Sequence, residues 1–148
     1  MPLILLTNDD GIYADGLWAL YEKLVPSHAV TVVAPDRERS AVGHGITLYQ
    51  PLRTNKITVN NGYHGYAVDG TPVDCIKIGL MEILGMKPDM VISGINPGAN
   101  VGVNINYSGT VAAAKEATLY KVPAISVSIQ GHKTSAYGYA ALFTAILA

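Results

Sequence analysis

Leu3-Ile4-Leu5-Leu6-Thr7-Asn8-Asp9-Asp10-Gly11 is the stretch that decides how this chain folds. Its first five residues are a continuous apolar run closed by a threonine, the pattern of a parallel strand buried on both faces. Asn8 to Gly11 then read as a turn. Residues 14–25 carry the spacing of an amphipathic helix closed by Pro26, and residues 29–34 form a second apolar strand ended by Pro35-Asp36. A β-α-β unit at the start predicts an α/β sandwich with a right-handed crossover.

Outward from that unit, residues 37–45 are a polar, glycine-containing loop. Residues 47–60 and 63–68 alternate and are rich in β-branched and aromatic side chains, with Asn60-Asn61-Gly62 as the turn between them. They predict a β-hairpin excursion. Thr71-Pro72-Val73-Asp74 opens a helix, with proline near its first position and a carboxylate in its first turn, running to about Leu84 and stopping at Gly85. Residues 89–93 are the next buried strand, 94–108 a long Gly/Asn loop, 109–121 a helix, 123–128 a strand and 136–148 a further helix. That last helix has no Gly, Pro or basic residue to mark its end, which predicts a truncated chain. No linker or repeat divides the sequence, so residues 1–148 read as one domain.

Composition narrows the classes. With 148 residues, 49% of them hydrophobic, the chain has enough apolar material for one sizeable core and is no disordered segment. Ten Lys+Arg against eleven Asp+Glu, a net charge of −1, argues against a broad phosphate-neutralising surface for nucleic acid. Charged residues are only 14% of the chain, against roughly 25% in an average domain. Some surface must then be covered, by a subunit interface or by further chain. Cys75 is the single cysteine and cannot form an internal disulfide, and no Cys/His spacing resembles a zinc site. There is no basic leader and no uncharged apolar run near the ~20 residues of a membrane span. These features predict a cytoplasmic protein.

Ligands of open α/β sheets bind beyond the carboxyl ends of the strands, near a switch in strand order. Three such ends here carry polar loops: Asn8-Asp9-Asp10-Gly11, Asp36-Arg37-Glu38-Arg39-Ser40, and Gly94-Ile95-Asn96-Pro97-Gly98-Ala99-Asn100. Adjacent carboxylates repel unless a cation or a proton sits between them. Asp9 and Asp10 thus point to a hard divalent ion such as Mg²⁺ or Mn²⁺, to which Ser40 and Asn96 could add neutral oxygens. A solvated acidic turn reads the doublet equally well. Ser108-Gly109-Thr110 opens a helix and could hold an anion, although simple N-capping explains it at least as readily. There is no Walker P-loop, no dinucleotide glycine fingerprint and no Gly-x-Ser-x-Gly elbow. Gly43-His44-Gly45 could place an imidazole near substrate or be an ordinary surface loop. Cys75 reads as a small buried residue, since no activating partner is visible.

Taken together and in order, several segments resemble the SurE family, the survival-protein E nucleotidases. They are Thr7-Asn8-Asp9-Asp10-Gly11, Ala34-Pro35-Asp36-Arg37 with Ser40, Gly43-His44-Gly45-Ile46-Thr47-Leu48, and Gly70-Thr71-Pro72-Val73-Asp74-Cys75. Ser93-Gly94-Ile95-Asn96 with Gly98 and Asn100, and Tyr107-Ser108-Gly109-Thr110-Val111-Ala112-Ala113, complete the set. The resemblance implies a Rossmann-like three-layer α/β/α sandwich around a mostly parallel sheet, and a metal-dependent phosphatase acting on nucleoside 5′-monophosphates, with 3′-nucleotides and short polyphosphate as further substrates. It implies one divalent ion held by Asp9, Asp10, Ser40 and Asn96, phosphate held by Ser108, Gly109 and Thr110, and Asn8 in the same pocket. It also implies assembly as a homodimer or homotetramer through a portion beyond this C-terminus. Two positions depart from the family pattern: Ala41 stands where glycine is usual, and Gly45 where serine is common. Attack by water and attack by Asp9 both remain open, as do a broad phosphomonoesterase and a nucleotide-binding module without turnover.

Overall fold

In the computed structural model, which describes residues 1–59, 61–131 and 134–148, the opening apolar run becomes β1 (Leu3–Thr7) at the middle of the sheet. It is followed by α1 (Asp15–Leu24), β2 (Ala29–Pro35), β3 (Thr54–Thr58), β4 (His64–Val68) and α2 (Pro72–Ile78). Then come β5 (Met90–Pro97), α3 (Gly109–Leu119), β6 (Ala124–Ile129) and α4 (Tyr137–Leu147). Among the described residues six strands form one sheet in the order β3-β4-β2-β1-β5-β6. Every pairing is parallel except β3 with β4. The three-layer sandwich and the hairpin excursion are both present.

Alternation along β1 explains the layers. Ile4 and Leu6 point to one face, where they meet Leu17, Trp18, Leu20 and Leu24 of α1 and Ala141 of α4. Leu5 points to the other, against Cys75 and Ile76 of α2 and Ala113 and Ala117 of α3. Successive strand residues face opposite ways, so only a strand covered on both sides can be apolar throughout. Each fully buried leucine or isoleucine contributes roughly 2 kcal/mol through burial. No helix of the described residues is long and apolar enough to cross a membrane.

Three expectations are corrected. The strand expected over residues 47–60 is only Thr54–Thr58. Thr47 instead donates twice to Asp74, from its N–H at 3.0 Å and its hydroxyl at 2.6 Å, and Pro51 has no N–H to give a ladder. The expected turn at Asn60-Asn61-Gly62 includes Asn60, which lies outside the described residues. The helix expected to reach Leu84 is α-helical only to Ile78 and continues as a wider π-type turn over Gly79–Ile83. Its start is as expected: Thr71 caps it, and Thr71 and Asp74 bond each other's backbone N–H in a capping box. Finally, β5 does not stop at Ser93. Its register with β6 shifts between Ser93 and Asn96, then resumes with Asn96 opposite Ser128 and Pro97 opposite Ile129. Asn96 is therefore carried on a strand, not in a loop.

Candidate active site

The chain builds outward from β1 first through β2 to β4, then returns to β5 on the other side of β1 and continues to β6. The switch in strand order lies between β1 and β5, where Thr7, the last residue of β1, pairs with Ser93. A crevice opens there because the connections leave in opposite directions.

The turn after β1 is fixed from within. Asn8 is fully buried, its amide nitrogen donating to Gly11 O at 2.9 Å and its amide oxygen accepting from Gly11 N at 3.1 Å. Gly11 has φ +102°, and a Cβ there would meet the Arg37 backbone at 3.0 Å. Asn8 thus shapes the turn that presents the next two residues. The loop after β2 is joined to it, Arg39 N donating to Asp9 O at 2.7 Å.

Asp9 is only 6% exposed, which removes the reading of a solvated acidic turn. Its Oδ1 accepts a 2.6 Å hydrogen bond from the Thr110 hydroxyl, across 101 residues of chain. Gly109 makes that approach possible, since a Cβ there would lie 2.9 Å from the Cβ of Asp9. Ser108 caps α3 by accepting from Val111 N at 3.2 Å, so the capping reading holds. The first turn of α3 already faces an anion, the Asp9 carboxylate, which the backbone of Thr110 also supports. Burial outweighs these bonds and pushes the Asp9 carboxyl up from its ordinary value, with Glu38 adding to the rise. Asp10 is half-buried and pushed up to about 7, first by burial, then by the charges of Asp9 and Glu38.

The other expected residues are less uniform. Asn96 is half-buried and donates its amide nitrogen to Gly98 O at 2.7 Å, which leaves its oxygen as an acceptor. Ser40 is exposed, and its hydroxyl donates to Glu38 Oε1 rather than to either aspartate. Ala41, at the position where the resemblance expects glycine, has φ +56°. An L side chain there costs roughly 1 kcal/mol, which explains why glycine suits that position. Cys75 is fully buried and its thiol is pushed well up by that burial, as befits a core residue rather than a nucleophile.

Buried polar groups are normally hydrogen-bonded. Among the described residues, the buried side-chain polar atoms lacking a hydrogen bond are Thr7 Oγ1, Asp10 Oδ2, Arg39 Nε and Ser93 Oγ. Thr7 has only the Cys75 thiol, a weak partner, beside it. They lie at the end of β1, in the loops after β1 and β2, and at the register shift of β5. Acceptors and donors left open together at a switch point are what a polar ligand would satisfy. Glu38 and Arg39 belong to the polar loop expected here but had no role assigned, and Tyr137 was not expected in this neighbourhood at all. Tyr137, on α4, is buried, and the charge of Asp10 helps to push its phenol up after burial does. Nothing local in sequence links a residue at 137 to one at 10. Among the described residues no three His, Cys, Asp or Glu side chains form a metal cage. A cation here would depend on the two aspartates and neutral oxygens, a donor set suited to a hard divalent ion.

The family profile of survival protein SurE matches residues 4–148. The chain belongs to the SurE family. It is 58% identical over 140 residues to the 5′-nucleotidase SurE of Desulfatibacillum aliphaticivorans, covering 95% of this chain and 55% of that protein. It is 52% identical over 145 residues to the 5′-nucleotidase SurE of Heliobacterium modesticaldum, covering 97% and 53%. The crystal structure of SurE from Aquifex aeolicus superposes with a TM-score of 0.88 at 41% identity, over 99% of this chain and 58% of that one. The SurE chain described here thus spans about half the length of the curated relatives it matches.

Proposed function

We propose that this SurE chain carries the site of a metal-dependent phosphatase hydrolysing nucleoside 5′-monophosphates to nucleoside and phosphate, with 3′-nucleotides and short polyphosphate as secondary substrates. The supporting observation is the group of open polar atoms around the ends of β1 and β2 and the middle of β5, above all Asp10 Oδ2 beside the buried Asp9. The relatives' name, 5′-nucleotidase, supplies the substrate class. In this reading residues 1–148 are one SurE-like domain, acting in the cytoplasm as a homodimer or homotetramer.

Asp9, Asp10, Asn96 and Ser40 would hold one Mg²⁺ or Mn²⁺. When bound, that ion would neutralise charge building up on the phosphoryl oxygens. The chain's own residues do the positioning. Asn8 holds the turn, Thr110 fixes one oxygen of Asp9, and the cap at Ser108 sets the first turn of α3 against it. Ser108, Gly109 and Thr110 would meet the phosphate, and Arg39 offers an N–H that lacks an acceptor. Positioning and charge stabilisation are the main requirements of phosphoryl transfer.

Phosphate release from AMP, UMP and p-nitrophenyl phosphate, with Mn²⁺ and then with excess chelator, tests the proposal. Metal-dependent release favouring the nucleotides is the expected result. Equal kcat/KM on all three would leave a broad phosphomonoesterase, and nucleotide binding without release would leave a binding module.

The Asp9–Thr110 bond gives a separate expectation. Thr110→Val keeps the volume and removes the donor, so Mn²⁺ affinity should fall roughly tenfold or more, as for other partners of metal ligands. Calorimetric titration measures it, and an unchanged Kd would remove Thr110 from the site.

A further inference from the structure

The loop between β2 and β3 carries Ser40, and its later part is tied to two neighbouring elements. Gly43 N donates to Tyr107 O at 3.2 Å, just before α3. The Thr71 hydroxyl donates to Gly45 O at 2.7 Å, and Thr47 donates twice to Asp74 on α2. Among these ties, between Gly43 and Gly45, sits His44, whose Nε2 lies 2.6 Å from Glu116 Oε2 on α3.

Glu116 is 6% exposed on a helix whose other buried positions are mainly small, among them Ala112, Ala113 and Ala117. A carboxylate in such surroundings is unfavourable unless it is partnered. An apolar pair would usually hold two elements together at lower cost. What a charge-assisted bond adds is direction, because donor and acceptor must align. His44 is therefore more than a surface histidine on a glycine-flanked loop.

We infer that His44 and Glu116 form a latch that sets the position of Ser40 against Asp9 and Asp10. Both are positioning residues of the metal site. Ser40 lies between Arg39, bonded through its N–H to Asp9 O at 2.7 Å, and a short turn held at Gly43 to Tyr107 O at 3.2 Å and at His44 to α3. Ala41 and Gly43, each with φ +56°, are left-handed positions in the few residues that join the two. His44 and the Gly43 bond hold that turn together, so a shift of the turn reaches Ser40. The same α3 presents Thr110 to Asp9, so one helix sets two of the proposed ligands. The inference rests on Ser40 being an oxygen donor of the proposed site.

Calorimetric titration of the whole chain with Mn²⁺, without substrate, tests it. His44→Ala should raise Kd about tenfold, the scale typical of residues that orient metal ligands. His44→Gln, which retains a donor of similar reach, should recover most of the affinity. Replacing both residues by leucine fills the same space and leaves no buried charge. That pair should melt at least as high as the wild type yet bind Mn²⁺ as weakly as His44→Ala. Wild-type Kd in the Leu–Leu variant, or no recovery with His44→Gln, overturns the latch while the metal site stands. If the wild type itself takes up no Mn²⁺, the site reading fails and takes the latch with it.

Discussion

Asp9→Asn should lower metal-dependent phosphate release by at least about a hundredfold, the scale of losing one charge-stabilising group in a preorganised site, while leaving the fold intact. The two halves of this expectation come from different observations. Asparagine has the size of aspartate, and its amide oxygen can still accept the 2.6 Å bond from the Thr110 hydroxyl. The contact that requires Gly109, 2.9 Å from a Cβ there to the Cβ of Asp9, involves no charge at all. Packing against the first turn of α3 therefore survives. What disappears is the negative charge that a divalent cation would need, and Asp10 alone cannot replace a pair. Removing Asp9's charge also removes one of the causes that hold the Asp10 carboxyl up. Melting curves and phosphate release measured on the same preparation check both halves. Full metal-dependent activity in a folded Asp9→Asn protein would overturn the site assignment.

Why Asp9 could be singled out from sequence, and Glu116 could not, is a matter of range. β1 was legible because a run apolar at every position, Leu3 to Leu6, has no solvated face and so requires layers on both sides. The start of α2 was legible because Thr71, Pro72 and Asp74 act on one another within a single turn. The carboxylate doublet was legible because its conflict is local, two like charges on adjacent residues. Errors appeared where a distant residue decided the outcome. Thr47 alternates like a strand residue, yet both its donors go to Asp74. Asn96 follows Gly94 and looks like loop, yet β6 recruits it after a register shift. Thr110 reads as a residue of a helix start, and only the fold shows its hydroxyl on Asp9. The His44–Glu116 pair spans 72 residues: the glycines around His44 drew attention to it, but nothing local names Glu116 as its partner. Ser40 is the residue whose expected role the fold supports least directly, because its hydroxyl is turned to Glu38.

Without metal, the wild-type chain should lose stability relative to Asp10→Asn as pH rises from 5 to 8. The folded chain holds the Asp10 proton up to about pH 7, whereas the carboxyl's ordinary value is 3.8. Between those limits the folded state binds more protons than the unfolded one, so this group's contribution falls with rising pH. Well below pH 3.8 both states are protonated and the residue contributes no difference. Above pH 7 the folded state carries an ionised carboxylate beside Asp9 and Glu38. A carboxyl raised that far would correspond to about 4 kcal/mol, and solvent screening of a half-buried group reduces this to ~2 kcal/mol. For a chain of this length that is a difference of roughly 4–8 °C in Tm at pH 8, shrinking toward pH 5. Asparagine carries no charge at either pH, so its curve supplies the reference. Divalent metal should reverse the order at pH 8. A ligand at a hundred times its Kd adds about 2.7 kcal/mol to the state that binds it, and Asp10→Asn lacks half of the carboxylate pair. Thermal melts of both proteins at pH 5 and 8, with chelator and with Mn²⁺, give the four comparisons. Parallel curves without metal would mean that the Asp9–Asp10 repulsion is relieved within the chain itself. A crossing on adding Mn²⁺ identifies the cation as what the doublet is built to receive.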